Sequence, residues 1–405
     1  MNNIKLSIMM FLQYFIWGAW YVTAATYMSK ILNSSGAEIG NTYSAFAFAA
    51  IISPFFVGAI ADRYFSAQKA MGALHLIGGL LLLYLTQVSS SFLFLLIVLF
   101  YSLMYMPTVA LSNNIVFANV SDTGKVFPII RFFGTFGWII AGLVIGSNII
   151  FGQKFGLGLE ANNTTLPYTF YIASGASILL GVFSFTLPDV PPKGKTDSSS
   201  FGLEALVLLK DKSYLIFFIS AVLICIPLSF YYSFANVFLN DIGMEGAAGK
   251  MILGQVSEAI FILSIPLLYY RLGVKNILII GIAAWALRFF FFSNGDMSDD
   301  YYWMLMAGIV LHGICYDFFF VSGQIYTDYK AGEKYKSAAQ GLIALATYGV
   351  GMLIGFRLAG RITDKFVIDS GHDWTQIWTY PAIFAAVVLL IFIITFKNEK
   401  IKVEK

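Results

Sequence analysis

Charge is scarce in this sequence. Asp, Glu, Lys and Arg together make up 12% of its 405 residues, about half the share found in an ordinary soluble domain, so a soluble enzyme is excluded. Cysteine is scarcer still: Cys225 and Cys315 both fall in apolar runs and offer neither a disulfide framework nor a zinc-type spacing. Of the three histidines, His75, His312 and His372, no two have metal-ligand spacing. There is no Ser/His/Asp grouping and no phosphate-cradling glycine loop, so neither catalysis nor a bound cofactor or metal is expected. The net charge of +3 is dispersed and gives no reason to expect a nucleic-acid partner. Hydrophobic residues, at 59%, are what the chain does have, with a mean hydropathy of +0.77.

Crossing a hydrocarbon core takes about 20 apolar residues, so a chain of this length has room for about twelve spans with short loops. Continuous apolar runs occupy 4–28, 39–61, 69–88, 92–117, 128–150 and 166–187, then 214–238, 251–270, 274–293, 302–327, 337–360 and 376–396. None shows the ten-residue alternation of a membrane barrel, and each is too long for a core strand, so all are read as helices. The first run continues past Trp17 and Trp20 without a small-residue cleavage pattern and is read as a span rather than a signal peptide. The expected fold is an all-α membrane protein of 12 transmembrane helices in two six-helix halves, 1–188 and 214–405, joined by a linker at 189–213. In that linker, residues 201–210 read as a short amphipathic helix on the membrane surface, with Leu203, Leu206 and Val207 on one face.

Lys and Arg set the orientation. With the N-terminus inside, seventeen of the 25 basic residues fall on the cytoplasmic side, five fall outside, and Arg131, Arg288 and Arg357 lie within spans, so both termini are expected in the cytoplasm. Six plus six helices around a central cytoplasmic loop is the layout of transporters that open alternately about a midplane site. After the second span, Gly58-Ala-Ile-Ala-Asp62-Arg63 resembles the Gly-x-x-x-Asp-Arg loop of the major facilitator superfamily. A pseudo-repeat, YYRLGVKN, stands at 269–276. In this conformational motif the glycine allows close helix approach, while Asp62 and Arg63 pair with neighbouring helix ends.

Ionisable groups within a bilayer cost several kcal/mol and mark function by default. The clear cases are Arg131, Glu258, Arg288 and Asp317. Gln255 lies three residues before Glu258, which puts an amide and a carboxylate on one helix face. Arg131, Thr135 and Trp138 line one stripe of the fifth helix, and Ser229, Tyr232 and Asn236 do the same on the seventh. His312 and Tyr316 share a face of the tenth, with Asp317 one step round. The structural alternative is that Glu258 and Asp317 pair with Arg131 or Arg288 and hold helices in register. Against it, burial disfavours an ionised carboxylate, so a proton can replace the arginine as counter-charge. Of the two acids, Glu258 is the first choice for proton coupling, because Gln255 beside it can touch solute. Arg288 is read as a structural or gating partner, His75 as structural, and Gln13 as either cavity lining or helix glue. Tyr14, Trp17 and Tyr21 on the first helix, with Trp138 and Tyr232, offer flat faces on which a ring could stack.

The segments FLQYFIWGAW (11–20), PIIRFFGTFGW (128–138), GQVSEAIFILSIPLL (254–268), AWALRFFFFSNGD (284–296) and CYDFFFVSGQIY (315–326) resemble, in order and across nearly the whole chain, the nucleoside–proton symporter family of the major facilitator superfamily. The resemblance implies proton-driven uptake of nucleosides across a bacterial inner membrane, with the proton gradient in place of any cofactor and a monomer in lipid as the working unit. It places Arg131, Thr135, Gln255 and Glu258 in the substrate pocket, and Glu258 and Asp317 in proton coupling. The chain departs from the family pattern where the seventh-helix glutamine and asparagine become Ser229 and Tyr232, the fifth-helix phenylalanine becomes Trp138, and the tenth-helix tyrosine and phenylalanine become His312 and Tyr316. Another polar ring solute, such as a sugar, therefore stays open as the substrate.

Overall fold

The computed structural model describes residues 2–56, 64–120, 123–146, 148–150, 153–192, 203–369 and 371–397. Within hydrocarbon every backbone N–H and C=O must be satisfied inside its own segment, and the apolar runs accordingly fold as helices. They form two compact units, Met1–Ser199 with Glu245–Ile252, and Ser200–Met244 with Leu253–Lys405. Among the described residues nine helices are long and apolar enough to cross a membrane, and two shorter apolar helices cover Ile129–Ile145 and Tyr168–Ser184. Large apolar side chains such as Leu263 and Ile394, each 81% exposed, point outward as a lipid-facing surface requires.

The first unit contains α1 (Asn2–Trp20), α2 (Ala24–Lys30), α3 (Gly36–Phe56), α4 (Ala67–Leu85), α5 (Ser91–Asn119), α6 (Thr123–Ile145) and α7 (Tyr168–Ser184). α1 packs on α6 and α7, α4 on α5 and α7, and α3 on α5. The first expected span is interrupted between α1 and α2, and a side chain repairs the break. The Tyr43 hydroxyl of α3 donates to Tyr21 O at 2.6 Å and accepts from Ala25 N–H at 3.3 Å, supplying partners that the helix ladder lacks there. The fifth span ends sooner than the apolar run suggested. α6 stops at Ile145, and Asn148–Ile150 pairs antiparallel with Gln153–Phe155. The returning chain satisfies the last helix carbonyls, with Leu157 N–H donating to Val144 O at 2.8 Å and Gly158 N–H to Gly146 O at 3.1 Å.

The second unit opens with a 3₁₀ helix, Leu203–Lys210, followed by α8 (Lys212–Asp241). The 3₁₀ period sets which residues face the protein. Ala205 packs against Ala331, Ala339 and Leu342 with Leu208 beside it, as i and i+3 eclipse in this helix, while Leu206 and Val207 stay exposed. Asp211 caps α8, accepting from Tyr214 N–H at 2.9 Å and from Lys330 Nζ at 2.8 Å. Partial burial pushes its carboxyl up, but the hydrogen bond and positive charge of Lys330 and the backbone N–H groups at the start of α8 together outweigh it and hold the group below its ordinary value. Next come α9 (Ala247–Asn294), whose first turns to Ile252 belong to the first unit, α10 (Tyr302–Val310), α11 (His312–Tyr316), α12 (Ser322–Ala344), α13 (Met352–Lys365) and α14 (Trp374–Thr395). α9 is two membrane helices broken at Gly273, whose φ of 75° belongs to the left-handed region. Two π-helical turns, Asp317–Val321 and Leu345–Gly351, interrupt the tenth and eleventh expected spans. Such turns are rare and concentrate at functional sites, and the first of them begins at Asp317.

Candidate functional site

Two glycines bring the first half of α9 against α10 and α11. A Cβ on Gly313 would stand 2.5 Å from Glu258 N, and one on Gly254 3.0 Å from His312 Cβ. At Gly313 only a hydrogen atom fits and the backbones touch, while at Gly254 a Cβ would be a tight contact, the close approach that small residues permit between membrane helices. Ser257 Oγ locks the register by donating to Val310 O at 2.6 Å. The consequence is that Glu258 projects beside His312, their Oε2 and Nε2 atoms 3.8 Å apart.

Arg288, wholly buried on the second half of α9, faces the same histidine. Its Nη1 lies 2.8 Å from His312 Nδ1, and its guanidinium carbon stands 3.5 Å from the centre of the Tyr231 ring of α8. Tyr231 also stacks on His312, with ring centres 5.2 Å apart. Among the described residues the remaining guanidinium atoms, Nε and Nη2, have no hydrogen-bond partner. Asp317, likewise fully buried, has none for either carboxylate oxygen. Among the described residues Arg288 therefore pairs with neither acid, and the register-holding ion pair weighed from the sequence does not form there. An isolated anion in an apolar interior is costly, and a proton is the simplest counter-charge open to Asp317.

The other residues expected in this unit fall into two groups. Gln255, Glu258, Tyr232 and Tyr316 are partly accessible, and the Tyr316 hydroxyl is hydrogen-bonded to that of Tyr348. Ser229 is buried, and its hydroxyl donates to Cys225 O at 2.7 Å, with Met352 O at 3.4 Å, so in this conformation it serves the contact of α8 with α13.

In the first unit the stripe on α6 packs against α1. The Arg131 guanidinium carbon lies 4.0 Å from the centre of the Tyr14 ring, a cation–π contact. Trp138 meets Trp17 edge to face at 5.6 Å, and Trp17 in turn contacts Phe46 and Tyr105. Arg131, Thr135 and Trp138 all remain partly accessible. Gly58, Asp62 and Arg63 lie outside the described residues.

Sequence reasoning passed over Tyr231, the platform shared by Arg288 and His312, and Tyr348, the partner of Tyr316. Tyr231 carried a usable signal. A buried guanidinium needs an aromatic face or an acid, and Tyr231 adjoins the polar stripe of α8. Tyr348 had none, since the turn that presents it is π-helical and departs from the 3.6-residue period.

A family model described as nucleoside H+ symporter matches residues 1–401. YegT of Escherichia coli (strain K12) is 45% identical over 405 aligned residues, covering 97% of this chain and 93% of its own. Xanthosine permease of the same organism is 35% identical, covering 98% and 97%. The crystal structure of nucleoside transporter NupG, 31% identical, superposes with a TM-score of 0.87 over 98% of this chain and 100% of its own.

Proposed function

Since the chain belongs to the nucleoside H+ symporter family and shares the major facilitator fold, we propose that it imports nucleosides across a bacterial inner membrane in symport with protons. The observation that carries the reading is Asp317, a buried carboxylate without a partner at the start of a π-helical turn. Taking up a proton removes its charge, and releasing one restores a costly anion, so its protonation changes the energy of the helices around it. Glu258 is the second coupling group, partly exposed beside His312.

Solute recognition is assigned to Arg131, Thr135 and Trp138 in the first unit and to Gln255, Glu258, His312, Tyr316, Tyr232 and Ser229 in the second. Guanidinium, amide and carboxylate read heteroatoms and hydroxyls, while the aromatic faces take a ring. The halves 1–188 and 214–405, joined by 189–213, open alternately, with Gly58, Asp62 and Arg63 acting in the conformational cycle. The protein works as a monomer in lipid with both termini in the cytoplasm, a sidedness supported by the Lys and Arg bias. The proton gradient is its only energy source.

Purified protein in proteoliposomes provides the test, with radiolabelled uridine and adenosine as solutes and an inward proton gradient imposed or omitted. The reading expects gradient-dependent accumulation that unlabelled nucleosides block and sugars and nucleobases do not. Correctly inserted protein that moves neither nucleoside would overturn it. The competitor arm also addresses a second reading, a different polar ring solute such as a sugar. That reading is favoured by Ser229, whose hydroxyl is committed to backbone carbonyls, leaving Tyr232 as the main α8 contribution.

A further inference from the structure

The ring protons of His312 can be placed by counting donors. A guanidinium has N–H donors and no acceptor, so the 2.8 Å contact of Arg288 Nη1 with His312 Nδ1 requires a lone pair on Nδ1. The imidazole is then neutral and its single ring proton sits on Nε2, the nitrogen turned toward Glu258. The ring cannot easily turn to reverse this. Tyr231 stacks on one face, the Trp285 ring meets it edge-on with centres 6.4 Å apart, and Tyr316 lies 5.9 Å away on its own helix. Arg288 is itself pinned on Tyr231. Of the charged groups described around the ring, Arg288 takes one nitrogen and Glu258 faces the other, while Asp317 is the next residue but four along its own chain segment.

The distance from Nε2 to Glu258 Oε2, 3.8 Å, is too long for a direct hydrogen bond, so a polar group between them is the natural completion. While Glu258 is ionised, the two atoms present one donor and one acceptor side by side. A group complementary to both must accept from the imidazole and donate to the carboxylate. A hydroxyl does this; an ether oxygen or a C–H does not.

We propose that His312 is a specificity-determining residue, locked by Arg288 as a fixed Nε2–H donor, and that with Glu258 it reads a hydroxyl of the solute. This rests on the reading of the protein as a nucleoside importer, in which the hydroxyl belongs to the ribose. The lock itself is independent of that reading. It makes the donor permanent, because protonating Nδ1 would require expelling Arg288.

The test has two arms, both on the full chain in lipid. With three histidines in the sequence, nitrogen NMR of ¹⁵N-histidine-labelled protein identifies the His312 signals by their loss in His312→Gln. The expected spectrum is a neutral ring protonated at Nε2; an imidazolium or an Nδ1–H tautomer at the pH of transport overturns the proposal. In the second arm, adenosine competes for uptake with 2′-deoxyadenosine and 3′-deoxyadenosine. At least one deoxy analogue should bind more weakly by about tenfold or more, because its absence of a hydroxyl leaves buried polar groups unmatched. His312→Phe should collapse that ratio towards one, and His312→Gln, whose amide also offers an acceptor to Arg288 and a donor to Glu258, should keep most of it. Wild-type protein indifferent to both hydroxyls, or His312→Phe with its discrimination intact, overturns the proposal. Wild-type protein that moves no nucleoside overturns the importer reading instead, and the NMR arm then decides the lock alone.

Discussion

Each unit buries a histidine in a polar network, and the two networks are built in opposite ways. In the first, Thr108 donates to Tyr105 O at 2.6 Å and so must accept from Gln13 Nε2 at 2.8 Å, which leaves Gln13 Oε1 to accept from His75 Nε2 at 2.8 Å. His75 Nδ1 meets Ser177 Oγ at 3.2 Å, and the Tyr105 hydroxyl donates to Gln13 O at 2.5 Å. Helices α1, α4, α5 and α7 are thereby joined by neutral groups whose partners are all inside the unit. In the second, His312 is held by a charged Arg288, and among the described residues neither two of the Arg288 nitrogens nor the carboxylate oxygens of Asp317 have a hydrogen-bond partner. Among the described residues of the first unit the unpartnered buried side-chain atoms are neutral, on Trp17, Trp20, Tyr101 and Asn113. A satisfied neutral network joins helices; unsatisfied charge in an apolar interior is costly, and its presence in the second unit is best explained by a ligand or proton that completes it in turn.

The contrast can be broken most decisively at Glu258. Glu258→Gln removes an ionisable group from the open network while keeping its shape, and it should abolish pH-driven accumulation in proteoliposomes while the protein still inserts. Full uphill uptake in that variant would remove Glu258 from coupling. The closed network should answer differently. His75→Ala strips partners from Gln13 and Ser177 and should lower thermal stability by about 1–3 kcal/mol, with transport per inserted molecule preserved; a loss of gradient coupling at unchanged stability would erase the distinction between the two units. Smaller still is Trp138→Ala. An aromatic pair is worth about 0.5–1.5 kcal/mol, so solute KM should rise by up to about tenfold with little change in expression, and an unchanged KM would leave Trp138 as packing against Trp17.

Much of this was legible before any coordinates, and the reasons are physical. Spans are long apolar runs, and the bilayer enforces helix on them, so helices occupy the expected runs wherever residues are described, except that the first is broken between α1 and α2 and Gly146 and the following hairpin end α6 early; the end of the second expected span lies outside the described residues. The charged residues were legible because charge in hydrocarbon is rare enough to notice. Their pairing was not. Which partner Arg288 takes depends on the approach of two helices at Gly254 and Gly313, and a spacing rule within one helix says nothing about its neighbour. The expectation that Glu258 outranks Asp317 came from its neighbour Gln255, a local argument; the burial of Asp317 and its oxygens without hydrogen-bond partners among the described residues are tertiary facts that no spacing rule could supply, and they are why our proposal starts from Asp317. A helix was expected in the linker, with Leu206 and Val207 turned to the membrane surface, and both are exposed; what an α-helical period did not foresee is that the helix is 3₁₀, Leu203–Lys210, with Ala205 buried.

The most direct measurement is a comparison of two kinds of flux in the Asp317→Asn variant: nucleoside exchange between proteoliposomes and medium at equal pH, and net accumulation under an inward proton gradient. Asparagine keeps the volume and polarity of the neutral acid but cannot release a proton. The account predicts that exchange survives and the response to the gradient disappears. Accumulation that still follows the gradient as in the wild type would contradict it, and would mean that the unpartnered carboxylate of the second unit is not where the proton is carried.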